Sequence, residues 1–142
     1  VGSLARPYGG RMADRMGGAR MTVAAFASMA VITLTMIWTL PLKNFWLFLV
    51  LFLMLFTASG FGNGATYRMI PIIFPRNEAG PVIGWTSAIA AYGAFIVPML
   101  FAWTIGRFGS PNVAFFLFAA FYVLNLALCW WYYARRGAEK PC

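Results

Sequence analysis

The charges of this chain fall in short clusters, and between them run four uncharged stretches: residues 21–42, 44–67, 79–106 and 108–134. Each has 22 residues or more. A helix rises about 1.5 Å per residue and a bilayer core is about 30 Å thick, so each stretch is long enough to cross. Backbone groups in lipid must pair internally, which leaves helices or closed barrels. The apolar residues do not alternate as barrel strands require. The spacing therefore predicts an all-α membrane protein, a polytopic helical bundle. Residues 1–18 read as the end of a preceding helix and a loop, and the opening Val1-Gly2-Ser3-Leu4-Ala5 reads as the tail of a helix that begins upstream.

The chemistry left available is narrow. The 142 residues are 62% hydrophobic and 10% charged, against about 25% charged in a soluble domain. There is no histidine, and the three carboxylates, Asp14, Glu78 and Glu139, stand outside the uncharged stretches. No paired carboxylates are available for acid–base work. Cys129 and Cys142 have no metal-ligand spacing, and Cys129 reads as a small buried hydrophobe. An enzyme, a metal site and a cofactor are all unexpected. The net charge of +8 sits at the ends of apolar spans and does not suggest a nucleic-acid partner.

Basic residues set the expected orientation. Arg11, Arg15, Arg20, Arg68, Arg76, Arg135, Arg136 and Lys140 fall on one side of a four-span topology, and Lys43 and Arg107 on the other. The first side, with the C-terminus, is expected in the cytoplasm, and its clusters can also attract anionic lipid. Pro41 ends the first span, Ser110-Pro111-Asn112 is a turn before the last, and Pro71 and Pro75 bracket the end of the second. The last span, Phe115 to Tyr133, ends in Trp130-Trp131-Tyr132-Tyr133 before Arg135-Arg136. It reads as lipid-facing scaffold with an interfacial aromatic belt.

Four constellations could carry function. Gly10, Asp14, Arg15, Gly17, Gly18 and Arg20 form G-x-x-x-D-R-x-G-G-x-R, expected in a tight loop where glycine permits a sharp turn. Asp14 there can cap a helix or pair with an arginine. Arg6 lies eight residues earlier, about 12 Å deeper along a helix, with no carboxylate close in sequence. An intramembrane arginine is costly and marks a site by default, and its planar paired donors suit a planar oxyanion. Snorkelling to the surface is the bland reading. In the second span Gly60, Gly62 and Gly64 make a small face that lets helices approach, beside the polar groups of Asn63 and Tyr67. In the third span Gly84, Ala88, Ala91 and Gly93 recur before Pro98, with Ser87 among them. Packing alone explains either face equally well.

The G-x-x-x-D-R-x-G-G-x-R pattern resembles the cytoplasmic loop signature of the major facilitator superfamily. Three further segments sharpen the likeness: Leu4-Ala5-Arg6-Pro7-Tyr8-Gly9-Gly10, Phe61-Gly62-Asn63-Gly64-Ala65-Thr66-Tyr67-Arg68-Met69-Ile70-Pro71, and Gly84 to Pro98. Together they resemble the nitrate/nitrite porter family, over nearly the whole chain. The resemblance implies the C-terminal part of a twelve-helix fold, from the end of helix 8 through helix 12. It implies nitrate or nitrite as substrate, by alternating access, in a bacterial inner membrane. Arg6 would be one of two substrate arginines, the other lying in a missing N-terminal half of the same chain. Asn63, Tyr67 and Ser87 are expected to line the site, the glycine and alanine faces to close against that half, and the loop motif to latch the conformation. Ala91 and Ala94 stand where the family often has glycine. A drug or organic anion exporter of the same superfamily shares the loop motif. A non-transporting membrane scaffold explains the glycine faces but not Arg6.

Overall fold

The computed structural model describes residues 2–135. Readings placed on Val1, Arg136, Glu139, Lys140 and Cys142 lie outside them. The described chain is a run of helices: α1 (Gly2–Met16), α2 (Gly18–Thr39), α3 (Phe45–Ile73), α4 (Arg76–Phe108) and α5 (Asn112–Cys129). A 3-10 turn at Leu40–Leu42 closes α2, and a π turn at Trp130–Ala134 closes α5. Four of these, counted with their closing turns, are long and apolar enough to cross a membrane: Gly18–Leu42, Phe45–Ile73, Arg76–Phe108 and Asn112–Ala134.

The breaks have local causes. Pro41 lies in the turn after α2, Lys43 takes a left-handed φ of 47°, and Asn44 caps α3. Its Oδ1 accepts from the N–H groups of Trp46 and Leu47 at 3.1 and 3.2 Å, satisfying two donors that a helix start leaves open. Gly109, with φ 66°, ends α4 by donating to the Ile105 carbonyl. Helices α3 and α4 outrun the uncharged stretches. Helix α3 carries Arg68 and Pro71 on to Ile73, and α4 holds Arg76, Glu78 and Arg107 in its end turns. At about 1.5 Å per residue both exceed the bilayer core, so the charged ends reach the interface.

The expectation of a tight loop at residues 10–20 is corrected. Gly10, Asp14 and Arg15 are helical, in α1, and Gly18 and Arg20 already belong to α2. Gly17 alone makes the turn, at φ 93°. Its N–H still reaches the Ala13 carbonyl at 2.9 Å and its own carbonyl accepts from Met21 at 3.2 Å. A backbone that only glycine adopts freely changes direction in one residue and needs no loop.

Helix α2 is central, with α3 and α5 packed on it and α1 alongside α3. A core of Ile32, Met36, Ile37, Leu51 and Phe115 joins α2, α3 and α5, and Phe101 of α4 packs its ring edge-on to Phe115 at 5.0 Å. The last span, read as lipid-facing scaffold, is exposed over most of its length, with Phe116, Leu117, Phe121 and Leu124 each about half exposed, and packs by one side. Ala114, Phe115, Ala119 and Cys129 of α5 are buried. Cys129 Sγ lies 3.8 Å from the carbonyl oxygen of the fully buried Ala19. Small residues on one side of α5 let it close on α2, Phe115 enters the core beside them, and Phe116 and Phe121 are exposed. Trp130, Trp131 and Tyr132 are exposed, with the Arg135 guanidinium 4.2 Å above the Trp131 ring.

Helix α4 stands apart. Only Ala79 and Thr104 of it are buried, while Trp85, Ile89, Tyr92, Phe95 and Trp103 are each more than half exposed. Such a surface is stable against lipid or against another apolar element.

Candidate functional site: an arginine-lined groove between α1 and α3

Helices α1 and α3 run parallel and nearly in backbone contact. A Cβ on Gly60 would meet the carbonyl of Gly2, one on Gly64 the carbonyl of Arg6, and one on Gly9 the backbone of Phe61. Gly62 faces the other way, 2.9 Å from the Ala25 methyl of α2 measured from an ideal Cβ. The glycines of the second span thus set two helix contacts, and close approach is what small residues supply in lipid. By contrast, a Cβ on Gly84 or Gly93 would meet nothing within 4 Å, and Ala88 and Ala91 are exposed.

The glycine register opens a groove of about 580 Å³ lined by Ser3, Arg6, Pro7, Gly10, Arg11, Asn63, Gly64, Tyr67 and Arg68. Three residues expected at a substrate site, Arg6, Asn63 and Tyr67, come together here from two helices. Among the described residues the ion pair is Asp14–Arg68, at 3.0 Å, and no carboxylate lies within salt-bridge distance of Arg6. The Oδ1 atom of Asn63 is buried without a hydrogen-bond partner.

Ser87 reaches the same place through Tyr67. Their hydroxyl oxygens are 2.8 Å apart. Ser87 Oγ also donates to the Ile83 carbonyl at 2.7 Å, and a serine hydroxyl has one proton. The phenol is therefore the donor, and its oxygen has only lone pairs left to offer the groove. To donate to an anion, Tyr67 must release Ser87.

Asn63 and Tyr67 also line a second cavity of about 420 Å³ between α2, α3, α4 and α5, with Thr22, Thr66, Thr86 and Tyr122. The two residues form the partition between groove and cavity. Thr22, Thr66 and Thr86 donate to carbonyls of their own helices, those of Gly18, Gly62 and Val82, so their oxygens face the cavity as acceptors. A third, mostly apolar cavity of about 540 Å³ runs beside Gly93, Ala94 and Pro98. Pro98 has no N–H, so the Ala94 carbonyl lacks its helical donor there.

Sequence reasoning passed over Arg68, Arg11 and Tyr122. Arg68 read as a topology-setting charge. Its place in the groove depends on the parallel register of α1 and α3, which leaves no mark in either segment alone.

The Major Facilitator Superfamily profile matches residues 1–141. The chain belongs to the major facilitator superfamily. Several of the relatives it resembles are described as nitrate/nitrite transporters, and the chain matches their C-terminal portion. It is 46% identical over 148 aligned residues to a protein of Thermus thermophilus described as "Probable nitrate/nitrite antiporter NarK2", covering 100% of this chain and 33% of that one. It is 32% identical to "Nitrate/nitrite transporter NarU" of Escherichia coli (strain K12), covering 96% and 35%. A "Multidrug resistance protein MdtG" of Dickeya zeae (strain Ech586) is 34% identical over 80% of the chain and 27% of its own length. The chain thus spans about a third of the length of the nitrate/nitrite relatives it matches. It is an integral membrane protein by its helices and its superfamily.

Proposed function

We propose that this chain is part of a porter that moves nitrate, nitrite or both by alternating access, with nitrate/nitrite exchange as the mode. The observation that carries the reading is Arg6, a cation without a carboxylate partner that shares a groove with Asn63 and Tyr67. A planar guanidinium offers paired donors to a planar oxyanion. The amide of Asn63 can add a donor, and the phenol of Tyr67 can once it leaves Ser87. The names of the nitrate/nitrite relatives point to the same substrates.

The groove is wide and open on one side, too loose for a small anion by itself. In a protein of the relatives' length the remaining helices would close it, and the exposed face of α4 with Gly84, Ala88, Ala91 and Gly93 would meet them. A second arginine from that half would complete the anion's coordination. Two like charges favour separation when the site is empty, and the bound anion favours closure, which links substrate to the rocking of the two halves. Asp14 and Glu78 line neither groove nor inner cavity, which favours exchange over proton symport. The end of the bundle carrying Asp14 and Arg15 is assigned to the cytoplasm of a bacterial inner membrane by its basic residues.

The test uses the full-length protein in liposomes loaded with nitrite. Isotope-labelled nitrate should enter rapidly and only with an anion inside. Entry driven by a proton gradient without internal nitrite would replace exchange by symport. No entry under either condition would overturn the anion reading. Transport of bulky organic compounds instead would then favour an exporter like the multidrug relative.

A further inference from the structure

The groove contains three guanidinium groups, those of Arg6, Arg11 and Arg68, and no carboxylate among its lining residues. Parallel packing sets the row Arg6, Gly10, Asp14 of α1 beside the row Gly60, Gly64, Arg68 of α3. The Arg68 side chain passes over Gly10, where an ideal Cβ would sit 3.5 Å from its Nε and 3.7 Å from its Cγ. Its head ends on Asp14, Nη2 to Oδ2 at 3.0 Å. Arg6 and Asp14 are separated by about 12 Å of helix, so Arg68 stands between the Asp14 end of the bundle and Arg6.

We propose that Arg68 is an outer binding station for the small oxyanion, on the path between the membrane face that carries Asp14 and the inner arginine, Arg6. Asp14 holds that place when no anion is present. The inference rests on the anion-porter reading and adds a second site to it.

Three features favour a station over a fixed structural tie. Both partners of the pair are about half exposed, at 55% and 49%, and exposed ion pairs are weak enough for a competing anion to displace. The contact runs from Nη2 to Oδ2, and a guanidinium with five N–H donors has others to offer an oxyanion. Arg6, Arg11 and Arg68 line one groove, so an anion in it can pass from one cation to the next. The carboxylate neutralises Arg68 while no anion is present.

The test measures nitrate KM from each face of the full-length protein, in liposomes of known orientation, for wild type, R68Q, R68K and D14N. R68Q should raise KM about fivefold from the face carrying Asp14, with less than about a twofold change from the other. D14N should lower KM from that same face, because Arg68 loses its competitor. R68K should fall between wild type and R68Q, and it carries the comparison where R68Q does not reach the membrane. A purely structural pair predicts that R68Q and D14N shift KM in one direction, or shift it equally from both faces. Either result overturns the station and leaves the porter reading intact. Failure of wild type to move nitrate from either face overturns the porter reading itself, and the station with it.

Discussion

The Tyr67 hydroxyl on α3 donates to Ser87 Oγ on α4 across 2.8 Å, because the serine proton is already committed to the Ile83 carbonyl. Helix α4 is otherwise thinly attached, with Ala79 and Thr104 its only buried residues. The bond therefore ties a loosely held helix to the wall of the arginine groove, at the residue that separates groove from inner cavity. Any motion of α4 relative to α3 has to break or re-form it.

Removing that tie should change turnover more than substrate affinity. Tyr67→Phe in the full-length protein is expected to alter kcat for nitrate by about two- to tenfold, the range of one net hydrogen bond. Ser87→Ala should do the same, and the double variant should be no worse than either single one. Additive losses in transport assays would show that the two hydroxyls act separately.

Arg6→Lys keeps the charge and loses the paired planar donors. Transport should fall by at least about tenfold, as expected when a bidentate charge-assisted contact is lost. Isotope-labelled nitrate uptake into liposomes, compared at equal protein content, is the measurement. Near-wild-type uptake would remove Arg6 from the site.

Gly64→Ala puts a methyl into the backbone of Arg6 and Gly10, whereas Gly106→Ala meets nothing within 4 Å. Overpacking of this kind costs about 1–3 kcal/mol. Thermal unfolding in detergent should show Gly64→Ala lower by several degrees and Gly106→Ala close to wild type. Equal midpoints would mean that α1 and α3 are not held in this register.

Gly84 also has open space around it, but on the face proposed to meet the rest of a longer protein. Gly84→Leu should leave expression and thermal stability near wild type and still reduce uptake by about tenfold or more, because a bulky side chain blocks close helix approach. Unimpaired uptake would show that this face stays on lipid.

The sequence was informative about what each segment is and much less about how segments meet. Arg6 stood out because a cation read as lying deep in the membrane is costly, though its helix also carries Arg11, Asp14 and Arg15. Cys129 read as a buried hydrophobe, and it is buried against Ala19. The motif around Asp14 was legible as a pattern, but its expected loop is helix up to Met16, because one glycine at φ 93° suffices for the turn. Helix α5 read as lipid-facing scaffold, and most of it is exposed, but a helix apolar on every side carries no signal of which side packs. Its small residues Ala114 and Ala119 mark that side only once α2 is in view.

By itself the sequence determined that the chain holds four membrane-length helices, and it singled out Arg6, in the shorter segment before them, as a cation to explain. Those properties follow from hydropathy, chain length and the cost of unpaired charge, all of which act within a segment. Only the tertiary structure decided that Arg68 lies over Gly10 and ends on Asp14, and that Tyr67 spends its proton on Ser87. Those contacts depend on the register of helices packed through glycine, where one residue of slippage changes every partner.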